Sequence, residues 1–162
     1  MMEHRRPAFV DALRHAEAYP WPVGAVEMIE THISWVFLAG DRVVKVKRPV
    51  RFPFVDYTTA DLRRAACHEE VRLNRLLTDE VYLGVVPIVR AAGGYRVGGD
   101  GEVMEWATLM RRLPADRMLD ALLGAGQAPP DLADRLADRL VPFHLSRAPA
   151  CEGDAEALGG SV

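Results

Sequence analysis

Apolar residues recur along the chain with two different periods. Between Arg6 and Tyr19, the positions of Phe9, Val10, Leu13 and Ala16 have helical spacing, and Pro20-Trp21-Pro22 ends the run. The pattern then shortens and extends. Val26 to Ile29 predicts a first strand, and Ser34-Trp35-Val36-Phe37-Leu38 with Val43-Val44-Lys45-Val46-Lys47 predicts a hairpin around Ala39-Gly40-Asp41. Pro49 and Pro53 interrupt regular structure. Thr58, followed three residues later by Asp61, resembles a capping box opening a long helix to about Leu77. Val85 to Arg90 reads as a strand that Pro87 confines to a sheet edge. Gly93-Gly94 precedes Tyr95-Arg96-Val97, and Gly98-Gly99-Asp100-Gly101 turns into a strand from Val103 to Met110. After Pro114 a short helix is expected from Asp116 to Leu123, stopped by Gly124. Asp131 is expected to cap a last amphipathic helix bearing Leu132, Leu136, Leu140, Phe143 and His144.

These elements predict an α+β fold: a mostly antiparallel sheet of about five strands, crossed by one long helix, with a helical piece after it. The helix between the third and fourth strands is the informative topological feature. Ala150 to Val162 are small, acidic and aperiodic, and a disordered tail is expected there.

Composition narrows the class. The chain has 162 residues, 49% of them hydrophobic, which suffices for a real core. Its net charge of −3 gives no basic field for nucleic acid or an anionic membrane. No apolar run reaches the ~18 residues of a membrane helix, and Met1 to Pro7 has no signal-peptide core. Cys67 and Cys151 lie far apart without a CxxC motif, so they read as reduced thiols of a cytoplasmic protein.

One count points to chemistry. Of 20 basic residues, 18 are Arg, and the two Lys are Lys45 and Lys47 on one predicted strand. A compact ammonium suits a phosphate oxygen or a buried carboxylate where a planar fork does not fit; the plain alternative is a guarded sheet edge. Alternation puts both lysines on one strand face. On the long helix, Leu62, Ala66, Leu73 and Leu76 form a stripe whose missing member is Glu69. A carboxylate in an inward stripe calls for a cation, so a Lys–Glu pair between strand and helix is expected. Two alternatives stay open: Glu69 pairs only with Arg72 along the helix, or Glu70 is the lysines' partner.

Other motifs are weaker. There is no Walker A loop and no GxGxxG, and the five His and Ser146 show no triad or metal spacing. Thr31-His32-Ile33-Ser34 is a polar break that suits either a phosphate-covering loop or a plain turn. Arg111-Arg112 reads as a solvated pair.

Lys45 on a third strand, a helix carrying Glu69, two more strands and the linker Met110-Arg111-Arg112-Leu113-Pro114 resemble the amino-terminal lobe of a kinase. More narrowly, Glu30 to Leu38, Lys45 to Val50, Glu69 to Asn74 and Met110 to Pro114 are similar to the aminoglycoside-phosphotransferase-like half of a bacterial family. Those proteins often carry a P-loop ATP-binding domain behind that half. The resemblance runs from about Pro20 to Ala148. It implies ATP with Mg2+ as ligand, Lys45 on the α- and β-phosphates, Glu69 orienting it, and Lys47 as the register alternative. It also implies a loop from His32 to Ser34 over the phosphates and adenine against the backbone of Met110, Arg111 and Leu113. In domain terms it implies a helical extension over 1–22, a kinase-like lobe over 23–114, a linker and first helices of a second lobe over 115–148, and a tail over 149–162.

The chain departs from that family where catalysis would sit. The HGDxHxxN-like loop that supplies the catalytic Asp and the later metal-binding Asp are not in this sequence. No catalytic or metal-ligating residue is therefore assigned, and the lobe is expected to need a second lobe or a P-loop domain, in cis or in trans. The competing expectation is an inert fragment or a protein-interaction module. It would self-associate through residues 116–145, on a surface including Leu113, Met118, Leu122, Leu136, Leu140 and Phe143.

Overall fold

The computed structural model describes residues 6–78 and 80–146. The sequence-predicted tail and Cys151 lie outside the described residues. The fold is mixed α+β, with four helices and a curled antiparallel sheet of six strands among the described residues. It divides into two compact units between Arg117 and Met118.

The first unit opens with a short helix α1 (Ala8–Ala12) and a 3-10 turn at Ala16–Ala18, in place of one helix from Arg6 to Tyr19. The strands are β1 (Val26–Glu30), β2 (Ser34–Ala39), β3 (Arg42–Lys47), β4 (Arg51–Phe52), β5 (Val55–Asp56), β6 (Tyr82–Ala91), β7 (Gly94–Val97) and β8 (Glu102–Arg111). A long helix α2 (Ala60–Asn74) lies between β5 and β6. The large sheet has the order β1-β2-β3-β8-β6-β7, and β4 pairs with β5 in a separate ribbon where sequence gave only Pro49 and Pro53 as breaks.

Sheet pairing explains two departures from expectation. Strand β6 is interior, between β8 and β7, despite Pro87. Its pairing with β7 starts only at Ile88↔Val97, so the missing Pro87 N–H faces past the end of β7 and removes no ladder bond there. The Pro87 carbonyl on that side accepts from Gly98 N at 2.8 Å. The second departure is at α2, whose N-cap is Thr59, accepting from Leu62 N, one residue later than the Thr58–Asp61 reading.

One face of the sheet carries the core. Trp35, Phe37 and Ala39 of β2, Val44 and Val46 of β3, Ile88, Val97, Ala107 and Leu109 pack with Phe9, Val10 and Leu13. The N-terminal helix is therefore part of this core rather than an extension of it. The Gly40-Asp41 turn joins β2 to β3 with Gly40 at φ +64°, where a side chain would be strained. Gly101 is tighter still: φ is +153°, and a Cβ would lie 2.5 Å from the Arg90 carbonyl oxygen.

The second unit contains α3 (Leu119–Gly124) and α4 (Leu132–Leu145). Asp131 occupies the N-cap position of α4 but makes no side-chain cap hydrogen bond. No helix among the described residues is long and apolar enough to cross a membrane.

Gly101→Ala is expected to lower stability by about 1–3 kcal/mol, the range for backbone forced against a local constraint. The check is a lower urea midpoint at unchanged m-value.

Candidate functional site

The sheet face opposite the core meets α2, and that face sets polar side chains among its apolar ones. Period-two alternation puts Lys45 and Lys47 on it, away from Val44 and Val46. Register places Thr108 beside Lys45 and Ser34 beside Lys47.

The helix answers with an inward stripe that is itself partly polar. Arg63, Cys67 and Val71 are its buried residues, with Glu70 nearly so. The predicted inward stripe is instead on the outside: Leu62, Leu73 and Leu76 are exposed. The two stripes are offset by one residue, about 100° around the axis, and the lysines select the polar one.

Glu70, not Glu69, is consequently the lysines' partner. Lys45 Nζ lies 2.7 Å from Glu70 Oε1, and Lys47 Nζ lies 2.7 Å from Glu70 Oε2. Thr108 Oγ1 stands 3.4 Å from Oε2, and Asn74 donates to the Glu70 carbonyl at 2.8 Å. Glu69 is exposed and pairs with Arg72 one turn along the helix. Side-chain exposure is 4% for Lys47, 13% for Glu70 and 28% for Lys45. The Lys47 ammonium also sits over the Tyr57 ring, 5.1 Å from its centroid.

These contacts tune both partners. Burial by itself would raise the Glu70 carboxyl, but hydrogen bonds and charge from Lys45 and Lys47 outweigh it and hold the group below its ordinary value. Burial likewise opposes the Lys47 ammonium, yet Glu70 holds its pKa above the usual lysine value. Burial pushes the Cys67 thiol up, which keeps it protonated and unreactive.

A second buried pair anchors the same helix. Arg63 Nε and Nη2 reach Glu105 Oε2 of β8 at 2.8 and 2.6 Å, and Nη1 donates to the carbonyls of Tyr57 and Thr58. Arg63 and Glu70 are seven residues apart, two helical turns on one side. Sequence reading missed both Arg63 and Glu105, because a buried Arg leaves no mark in an apolar count.

The remaining candidates scatter. Ser34 is fully buried, and its Oγ has no hydrogen-bond partner among the described residues. His32 is exposed in a turn that Thr31 closes, its hydroxyl accepting from Ser34 N at 2.9 Å and Ile33 N at 3.4 Å. Met110 shares the face of Thr108 by alternation, whereas Arg111 and Leu113 are exposed. The structure thus brings Lys45, Lys47, Glu70 and Thr108 together, with Ser34 and Met110 on the same sheet face, and leaves Glu69, His32, Arg111 and Leu113 outside that cluster. No group of three His, Cys, Asp or Glu among the described residues could hold a metal ion.

Comparison with known proteins finds relatives without a described activity. The chain is 34% identical over 119 residues to the uncharacterized protein Rv2004c of Mycobacterium tuberculosis and to the uncharacterized protein Mb2027c of Mycobacterium bovis. The match covers 74% of this chain and 22% of each relative, so the chain spans about a fifth of the length of the curated relatives it matches. No family model and no solved structure matches the chain.

Two outcomes follow from the buried pairs. Arg63→Met strands Glu105, which is only 4% exposed, and is expected to destabilise by about 3–5 kcal/mol in urea unfolding, with Arg63→Met/Glu105→Leu recovering part of the loss. For Glu70, a lowered carboxyl contributes stability above its ordinary value of 4.5 that disappears as pH falls through the folded value. The stability gap between the parent and Glu70→Gln should therefore be full at neutral pH and close below 4.5, as read by denaturant titration across pH.

Proposed function

We propose that this chain is the nucleotide-binding lobe of an aminoglycoside-phosphotransferase-like small-molecule kinase, taking ATP with Mg2+. The observation that carries the reading is the cluster of two ammonium groups on one carboxylate. Among the described residues Glu70 is the single carboxylate within ion-pair distance of Lys45 or Lys47, which leaves one positive charge in excess. A partly buried excess charge favours an anion, and a phosphate oxygen suits an ammonium.

Strand order supports the same reading. A hairpin leads into the lysine strand, a helix returns a carboxylate to those lysines, and β8, which leads to the linker, lies directly beside the lysine strand. This order supports reading the unit as a kinase-like amino-terminal lobe, with Glu70 in the role that the resemblance gave to Glu69. Lys45 would meet the phosphates and Met110 would lie toward the base. Mg2+ would arrive on the nucleotide's own phosphates. Phosphoryl transfer itself needs a base and metal ligands to neutralise developing charge, so the reading for this chain is binding, completed by a second lobe or a P-loop domain in cis or in trans.

A second reading has one observation of its own. Leu123, Leu136, Leu140, Val141 and Leu145 of the second unit are exposed, the kind of apolar surface that marks an interaction module. Concentration-dependent self-association without any nucleotide effect would favour it.

The test is thermal unfolding with increasing Mg·ATP, on the parent and on Lys45→Ala. At ~100 Kd, binding adds about 2.7 kcal/mol to stability, so a rising Tm in the parent and a flat Tm in the variant are expected. A flat Tm in a cooperatively unfolding parent overturns the nucleotide reading.

A further inference from the structure

We propose that the two lysines divide their work: Lys47 is a positioning residue that stays on Glu70, while Lys45 exchanges Glu70 for a phosphate oxygen of the ligand. The inference rests on the nucleotide-binding reading and goes further into the same site.

The two ammonium groups hold different oxygens of one carboxylate, at equal distance, in unequal surroundings. Lys47 is 4% exposed, roofed by the Tyr57 ring, and shares Oε2 with Thr108. That burial and packing stand between Lys47 and an incoming anion. Lys45 is 28% exposed and meets Oε1, its one ion-pair contact among the described residues. Its ammonium can turn outward by rotation of its own side chain.

Charge explains why both are present. In a single lysine–glutamate pair, a lysine that moves to a phosphate leaves its carboxylate desolvated and unpaired, which is strongly unfavourable. Here Glu70 keeps one ammonium when the other leaves. Helix α2 therefore need not shift when the ligand arrives, and Arg63 on Glu105 holds it two turns away in the same position. Removing the Lys47 charge makes Lys45 the sole counter-ion of a nearly buried carboxylate. Lys45 is then held closed.

The composition supplies the experiment, since Lys45 and Lys47 are the only lysines in the chain. Protein grown with 13Cε-lysine gives two side-chain NMR signals, assigned with Lys45→Ala. Titration with Mg·ATP, and in parallel with inorganic tripolyphosphate, should move the Lys45 signal and leave that of Lys47 in place. In folded Lys47→Met, the Lys45 response should shrink. If Glu70 then holds Lys45 about nine-tenths of the time, the apparent Kd for Mg·ATP rises about tenfold. A merely structural Lys47 would leave both the Lys45 response and the Kd of the folded variant as in the parent, and that result overturns the division of work. So does movement of both signals together, or of Lys47 alone, in the parent; either leaves nucleotide binding standing. Two unmoved signals at saturating Mg·ATP, with a flat Tm, overturn both readings.

Discussion

A carboxylate taken out of water between a helix and a sheet must be met by positive charge, and Glu70 is such a group. Its 13% exposure excludes most of the solvent that would otherwise stabilise it, so the pairing with Lys45 and Lys47 sets which side of α2 faces the sheet. Much else follows from that choice. The leucines are turned outward, Cys67 and Val71 are buried beside the pair, and Arg63 is carried to Glu105. The two ion pairs hold the helix at points about 10 Å apart along its axis. Two such points fix rotation as well as position, which a single pair would not.

The sheet is asymmetric for the same reason. Its core face is built largely from aromatic and β-branched residues, which suit a pleated, half-buried surface, and α1 covers it. Its other face spends interior positions on Lys45, Lys47, Thr108 and Ser34, two of them cationic and one a hydroxyl without a hydrogen-bond partner among the described residues. An apolar set at those positions would satisfy stability equally well. Polar groups retained where packing does not require them are expected at functional or strained places, and the second ammonium leaves this cluster with a net positive charge.

The elements legible in the sequence were those whose patterns depend on neighbours along the chain. The hairpin around Gly40-Asp41 was legible because alternation and turn chemistry coincide there. The lysine strand stood out because a chain written in arginine uses Lys only twice. What failed depended on a partner distant in sequence. Leu62, Leu73 and Leu76 make a convincing apolar stripe, but the face they would have met is basic, so the stripe one residue away was chosen and Glu70 replaced Glu69. Pro87 looked like an edge marker, yet the ladder with β7 ends one residue short of it, and Gly98 there needs only the Pro87 carbonyl. The β4–β5 ribbon is only two residues per strand, too short for any period to show.

The one-residue difference between Glu69 and Glu70 bears on how such a site should be read. Glu69, in its pair with Arg72, is solvated and locally neutral; had it been the lysines' partner, Glu70 would have pointed elsewhere and α2 would have turned by about 100°. Arg63 would then have left Glu105 without its cation, and a carboxylate only 4% exposed does not tolerate that. The choice that the lysines make is thus reinforced by a residue two turns away that takes no part in the cluster. Helix rotation is a single variable, and the two desolvated pairs agree on it for every other side chain the helix carries.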